Sequence, residues 1–368
     1  MNNRPTIRIA LAGLGNVGKN VLSILHTQSE SLYKRYGLRF AVTGVVELGG
    51  GAIDVNGLDL AHLLQTIEEK KPVANLPDVG RPGLQGIDLV AQATPDILLD
   101  ATPVNIVDGQ PSLDMVKEAL RQNIHVVMAN KGPLTVAYST LQQMSDLSLG
   151  WGHELAIESS GKKNSALRPK LRFSACVGGA LPTINIGRRD LAGCQILRVE
   201  AVFNGTTHSI LRAMEKGQSY DDALLDAQQR GIAEADPSLD VDGWDAACKL
   251  VITANAVLGQ PTTLSDVSVE GIRNLDQETV QNALARGEKY VLLCLAERSA
   301  NNNSKPFRLS VKPTALPIDH PLARLTPDEM GVVYFTDVVD RLSAASEEPT
   351  ATPAAAAMIR DIIDIIHN

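Results

Sequence analysis

Aromatic residues are scarce in this chain, at 4% of 368 positions, so its core must rest on Leu, Val, Ile and Ala. Cysteine is sparse too. Cys176, Cys194, Cys248 and Cys294 stand far apart with no Cys-x-x-Cys pair, which argues against a disulfide framework and for reduced, buried thiols. The seven histidines are also scattered, none with a second ligand at zinc-like spacing, so no His/Cys transition-metal site is expected. Basic residues are outnumbered, 34 against 42 acidic, and the net charge is -8. Without any Lys/Arg run, that balance excludes a nucleic-acid partner. No stretch approaches the roughly 20 apolar residues that cross a bilayer, so no membrane association is expected. Met1 to Pro5 lacks the basic-then-apolar opening of a secretory signal. There is no internal repeat. What remains is a soluble, cytoplasmic chain, long enough for two domains, that works on small molecules.

What is present begins with a strand pattern at Thr6 to Ala12 that runs into Gly13-Leu14-Gly15-Asn16-Val17-Gly18. A helical face of Val17, Val21, Ile24 and Leu25 follows, then a second strand at Leu38 to Glu47. That order makes a βαβ unit. Further strands at Ile97 to Ala101 and Ile124 to Ala129 enclose a helix carrying Leu113, Val116 and Leu120, and another helix follows Lys131. The alternation predicts an α/β fold: a mostly parallel, doubly wound Rossmann sheet.

After about Gly150 the texture changes. Glu158 to Lys170 reads as a polar loop, Leu181 to Arg189 as a helix, Gln195 to Asn204 as a strand. Thr206 to Lys216, Tyr220 to Arg230 and Trp244 to Leu258 read as helices. Ser299 to Lys305 reads as an exposed turn. Ser343 to Ala357, rich in Ala, Ser, Pro and Glu, is expected to be partly flexible, and Met358 to Ile366 to form a terminal helix.

A bare GxGxxG is a weak signal, but here it sits after a strand and before a helix, as dinucleotide binding requires. Gly13 allows the tight turn, Gly15 admits a pyrophosphate, and Gly18 lets the helix pack on the strand. The helix N-terminus offers free N–H groups to the anion. Glu47 ends the second strand, where an acid would grip the ribose hydroxyls of NAD. It lies further from the glycines than the usual interval of about 20 residues, because the intervening helix is long. No Arg or Lys falls between Val42 and Lys70 to meet a 2′-phosphate, so the pattern points to NAD rather than NADP.

The densest chemistry lies in Gly231 to Lys249, where Glu234, Asp236, Asp240, Asp242 and Asp245 precede Lys249. Asp245 and Lys249 are i, i+4 and share a helical face. Two readings fit this spacing. One is a solvated acidic turn with a helical salt bridge. The other is a site for a cationic substrate group beside a lysine that moves a proton, a role lysine can take when its surroundings lower its pKa.

That stretch, with Asn204-Gly205-Thr206-Thr207 and Ala129-Asn130-Lys131-Gly132-Pro133 upstream, resembles homoserine dehydrogenase. Ser174-Ala175-Cys176-Val177-Gly178-Gly179-Ala180-Leu181-Pro182, Thr102-Pro103-Val104-Asn105 and His320-Pro321-Leu322-Ala323 match other landmarks of that family. They occur in family order from about residue 7 to 340. The resemblance implies NAD(P)-dependent interconversion of L-homoserine and L-aspartate 4-semialdehyde, in threonine and methionine biosynthesis. It matches Lys249 to the proton donor and acceptor, and Lys131 to a lysine beside nicotinamide and substrate. Glu234, Asp240 and Asp245 match the acids that bind homoserine, with Thr206 and Gly205 lining the pocket. Asn16, Val17 and Thr102 would touch the dinucleotide. It also implies a homodimer joined through substrate-domain sheets. A sodium site on the carbonyls of Val177, Gly179 and Leu181 is implied too, although Ser174 stands where the family carries a glutamate.

The expected organisation is a dinucleotide-binding domain over 1–150, an α+β substrate, catalytic and dimerisation domain over 151–310, and a segment, 311–368, returning to the first. The family's glycine-rich closing segment is replaced by Glu347-Glu348-Pro349-Thr350-Ala351-Thr352-Pro353. No stretch is left for an ACT regulatory domain, so feedback through one is not expected. Cys176 could be read as a nucleophile, but a buried thiol suits it better. His208 could touch substrate or pack. The rival functions are a related dehydrogenase of another amino-alcohol or semialdehyde, and a non-catalytic NAD(P)-binding regulator.

Overall fold

The computed structural model of the chain describes residues 6–147, 168–299 and 305–367. The first compact unit comprises Met1–Gly179 and Ala351–Asn368, the second Ala180–Thr350. In the first, seven strands are β1 (Thr6–Ala12), β2 (Arg39–Glu47), β3 (Gly50–Ile53), β4 (Gly80–Pro82), β5 (Ile97–Asp100), β6 (His125–Met128) and β7 (Leu171–Arg172). Their order is β4-β3-β2-β1-β5-β6-β7. The run from β2 to β7 is parallel, and β3 and β4 add an antiparallel edge.

Central β1 carries Ile9, Ala10, Leu11 and Ala12 fully buried. A strand covered on both faces reads as such a continuous apolar run. Val21, Leu22 and Leu25 of the Asn16–Thr27 helix share its core with Met358, Ile359 and Ile362 of the Thr352–His367 helix. That C-terminal helix is stapled down by buried polar contacts. Arg172 Nε meets Asp364 at 2.6 Å, and Ser174 donates both its N–H and its hydroxyl to Asp361 at 2.8 and 2.7 Å.

The second unit holds β8 (Ile196–Val202), β9 (Val267–Val269), β10 (Glu288–Arg298), β11 (Phe307–Pro317), β12 (Glu329–Thr336) and β13 (Arg341–Glu347), in the order β13-β12-β8-β10-β11-β9. Only the β9–β11 pair is parallel. Val202, Val291, Leu293, Leu316, Leu322 and Val333 form a buried cluster of this unit.

The fold corrects several expectations. Packing divides the chain at 179/180 and 350/351, not at 150 and 310. β7 pairs with β6, which carries the first unit past 150, while β11, β12 and β13 complete the second sheet. Ser343 to Ala357 is not a loose stretch. It contains most of β13 and the start of the Thr352–His367 helix. Arg341 to Glu347 alternates exposed and half-buried side chains and pairs residue for residue with β12, so its small residues mask an ordinary period-2 strand. The 181–189 helix is a single turn, Thr183–Asn185, continued by a π turn, Ile186–Asp190. Most of the expected loop at 158–170, and 300–304 of the expected turn, lie outside the described residues.

Candidate active site

The three fingerprint glycines divide into two kinds. Gly13 adopts φ +92°, and a Cβ there would stand 2.3 Å from the Ala101 carbonyl oxygen; a Cβ on Gly18 would stand 1.9 Å from that of Gly13. Both are required by the chain's own packing. Gly15 is different: a Cβ would meet nothing within 4 Å, and its φ of -69° suits any residue. The helix from Asn16 begins there with no side-chain cap, so no side chain among the described residues accepts from its first N–H groups. A glycine that the protein does not need, at an uncapped helix start, fits a pyrophosphate drawn against the backbone. Asn16 is exposed and Val17 half-buried beside it. Glu47 ends β2, and its Oε1 accepts the Val73 N–H at 3.0 Å.

At the carboxyl ends of β5 and β6 a buried network joins two further loops. Asp100, fully buried, accepts from the Thr102 N–H at 3.1 Å, the Thr102 hydroxyl at 2.6 Å and the Ser112 hydroxyl. Burial pushes the Asp100 carboxyl up, and the Ser112 and Thr102 bonds pull against that. The Asn130 amide donates to Thr102 Oγ1 at 2.9 Å and accepts the Gly132 N–H at 2.9 Å. Thr102 and Lys131 are thus fixed by one chain of bonds, with Lys131 half-buried at the start of the Gly132–Met144 helix.

In the second unit, the Gly205–Glu215 helix is capped by Asn204, whose Oδ1 accepts the Thr207 N–H at 2.8 Å. The Asn204 amide nitrogen donates to Asp240 Oδ1 at 2.7 Å and to Asp245 Oδ2 at 2.8 Å. Lys249 Nζ donates to the same Asp245 oxygen at 2.7 Å and to the Phe203 carbonyl at 2.5 Å. These are not solvated side chains: that of Asp245 is 7% exposed and that of Lys249 13%. Burial and the charge of Asp245 push the Asp240 carboxyl up, while bonds from Asn204 and Thr206 and the charge of Lys249 resist. Thr206 also donates to the Ile232 carbonyl at 3.2 Å.

The five acids of the dense stretch therefore separate. Asp240 and Asp245 converge on the Asn204 amide, and Asp245 alone of the two bonds Lys249. Asp236 accepts the Ser238 N–H and hydroxyl within its own turn, and Asp242 pairs with Arg273. Glu234 is exposed in the loop before Asp236, and among the described residues its carboxylate makes no hydrogen bond or ion pair. Gly205 starts the capped helix, with open space where a Cβ would stand.

Sequence reasoning assigned no role to Asn204 or Glu348. Asn204 carries a cap signal in its Asn-Gly-Thr-Thr context, but its bonds to acids 36 and 41 residues away have no local signature. Glu348 accepts the Ala180 N–H at 2.8 Å and the Ser346 hydroxyl at 2.9 Å. Burial pushes its carboxyl up, and Lys249 is among the groups that oppose this. No motif announced it.

Ser174, at the family's glutamate position, offers a neutral hydroxyl already committed to Asp361, and the Leu181 carbonyl already accepts the Thr183 N–H at 2.8 Å. Val177 is buried, and Gly179 takes a positive φ of 62°. Ser174 thus supplies no carboxylate at that position. None of the four cysteines forms a disulfide. Cys176 is buried, with its thiol donating to the Met128 carbonyl, Cys194 is half-buried, and burial pushes the Cys294 thiol up to about 12.

His208 is fully buried on the helix of Thr206, with Nε2 3.4 Å from the Leu325 carbonyl, and burial followed by Arg212 pushes its pKa down to about 4. A histidine near 6.5 when unfolded and near 4 when folded favours folding only while neutral. Its contribution is complete above about pH 6.5 and is lost as pH falls toward 4, by about 3 kcal/mol in all. Denaturant melts at pH 7 and pH 4.5 should show a smaller acid loss for His208→Gln than for the parent chain. Equal losses would contradict this.

Comparison with known proteins bears on these groups. Residues 13–158 match the family model described as the NAD-binding domain of homoserine dehydrogenase, and residues 182–363 match that of homoserine dehydrogenase. The homoserine dehydrogenase of Methanocaldococcus jannaschii is 33% identical over 362 residues, covering 98% of each chain. The NAD(+)-dependent homoserine dehydrogenase of Pseudomonas canavaninivorans is 30% identical over 97% of this chain and 96% of its own. Among solved structures, a putative homoserine dehydrogenase from Archaeoglobus fulgidus aligns with a TM-score of 0.80 at 30% identity, covering 98% and 99% of the two chains. A hyperthermophilic archaeal homoserine dehydrogenase in complex with NADPH aligns with a TM-score of 0.79 at 26% identity over 98% of each chain.

Proposed function

The chain belongs to the homoserine dehydrogenase family, NAD(P)-dependent enzymes, and from that premise we propose how its own residues interconvert L-homoserine and L-aspartate 4-semialdehyde. The observation that carries the assignment is the cluster of Asp240, Asp245 and Lys249 around the Asn204 amide. Two carboxylates against one ammonium leave a net negative charge in a half-buried place, which suits the substrate's ammonium group. Thr206 and Gly205 line this place at the helix start, and Glu234 adds negative charge from the neighbouring loop.

Lys249 moves the proton. In oxidation it takes the proton of the substrate hydroxyl; in reduction it returns one to the carbonyl oxygen as that becomes an alcohol. Asp245 and the Phe203 carbonyl hold two of its three N–H positions, which leaves one direction for substrate. Gly13, Gly15, Asn16, Val17 and Gly18 would hold the dinucleotide, which when bound would take up or supply the hydride. Thr102 and Lys131, held by the Asp100–Asn130 network, would hold the nicotinamide end.

For the dinucleotide we favour NAD, because Glu47 ends β2 and no cation lies between Val42 and Lys70 to meet a 2′-phosphate. Relatives of both habits occur, one named for NAD(+) and one seen with NADPH. Oxidation of L-homoserine followed as reduced nicotinamide absorbance at alkaline pH, with NAD and NADP in turn, tests this. A preference for NAD by tenfold or more in kcat/KM supports the Glu47 argument. A preference for NADP overturns it, and silence with both overturns the site assignment. A homodimer and a cytoplasmic location complete the proposal. Light scattering on the purified chain reads the first directly.

A further inference from the structure

We propose that Asn204 is a positioning residue of the substrate site, whose one amide holds Asp240 and Asp245 together so that both face the same ligand. The proposal rests on the assignment of those two acids and Lys249 to the substrate site. Its basis is the full use of the side chain. Both amide hydrogens go to carboxylates from different elements, Asp240 on the Ser238–Val241 turn and Asp245 on the Trp244–Ala256 helix. The amide oxygen takes the Thr207 N–H at 2.8 Å and the Thr207 hydroxyl at 2.9 Å. Asn204 is 4% exposed, so water cannot replace these partners easily.

Two carboxylates repel each other, and Lys249 bonds to only one of them, Asp245. The second, Asp240, is kept beside it by neutral donors, chiefly Asn204. A neutral bridge has a consequence that a cation would not. It binds both acids without cancelling their charge, so the charge stays available to an incoming ammonium. It also ties the acids to the start of the helix that carries Gly205 and Thr206, which sets the distance between the acidic pair and the pocket wall.

A helix cap and an acid bridge make opposite forecasts for conservative replacements. Asp and Ser cap helices about as well as Asn. If Asn204 only caps, Asn204→Asp and Asn204→Ser should behave like the parent. If it bridges, both fail: Asp brings a third carboxylate and at most one donor, and Ser is too short to reach both acids.

The expected result is a KM for homoserine raised at least tenfold in both variants, with the KM for dinucleotide within twofold of the parent and a melting temperature that is lowered but stays above that of the assay. An unchanged homoserine KM in either folded variant overturns the proposal. Failure of both to fold also overturns it, since the amide would then serve folding rather than substrate. Should Asn204→Asp alone fail to fold, Asn204→Ser decides by the same KM criterion. The underlying site assignment fails separately, if the parent chain does not oxidise homoserine or if loss of Lys249 leaves turnover intact.

Discussion

Replacing Lys249 by alanine is expected to lower homoserine turnover by at least about two orders of magnitude, the usual contribution of a positioned acid or base. Dinucleotide affinity should stay near that of the parent, because Lys249 belongs to the second unit and the glycine cradle to the first. The same substitution has a stability cost that must be separated from the catalytic one. Asp245 is 5% exposed, and without Lys249 its buried charge loses a 2.7 Å ion pair. Breaking a buried pair on one side typically costs about 3–5 kcal/mol, whereas replacing both partners by neutral groups is often nearly neutral. The double variant Asp245→Asn/Lys249→Met should therefore recover most of the lost melting temperature and none of the turnover. That divergence is the signature of a lysine that acts on substrate. If activity returned together with stability, Lys249 would be a structural ion-pair partner and the proton would travel elsewhere.

What could be read from the sequence was mostly what is local. Thr6 to Ala12, the three glycines and the next helix are contiguous, and each residue's reason lies within a few positions of it. Asp245 and Lys249 were paired in advance by helical spacing alone, and the 2.7 Å bond between them needs nothing more distant than one turn. Separating the five acids was beyond the sequence. Asp236, Asp240 and Asp242 are alike by composition; Asp236 bonds within its own turn, and only the positions of Asn204 and Arg273 separate Asp240 from Asp242. β10 was hidden for a different reason. Val291, Leu292, Leu293 and Cys294 are all buried, and a run of apolar residues without alternation does not distinguish a strand from a buried helix. Asp100 falls inside the strand expected at Ile97 to Ala101 and carries no signal of its own. Its three donors come from the loop after β5 and from the Ser112–Arg121 helix, so its role exists only once those pack together.

The fingerprint glycines allow a second large effect to be forecast, because the chain itself explains two of them and leaves the third unexplained. Gly18→Ala would drive a methyl group to 1.9 Å from the Gly13 carbonyl oxygen, and the helix must shift or the strand end must yield. Overpacking of that kind costs about 1–3 kcal/mol or more, so this variant should melt early and bind dinucleotide poorly for that reason alone. Gly15→Val meets no protein atom within 4 Å of its Cβ and needs no unusual backbone angle. Its melting temperature without ligand should match the parent's, within the roughly 0.5 kcal/mol usual for a free surface site. Its dinucleotide affinity should nonetheless fall at least about tenfold, because the branched side chain fills the space through which a pyrophosphate reaches the uncapped N–H groups. Fluorescence titration with reduced dinucleotide, beside thermal melts, reads both quantities on the same samples. A stable Gly15→Val chain that binds normally would mean that the pyrophosphate lies elsewhere. A stable chain that does not bind would identify the glycine's constraint as the ligand, since no described residue imposes one.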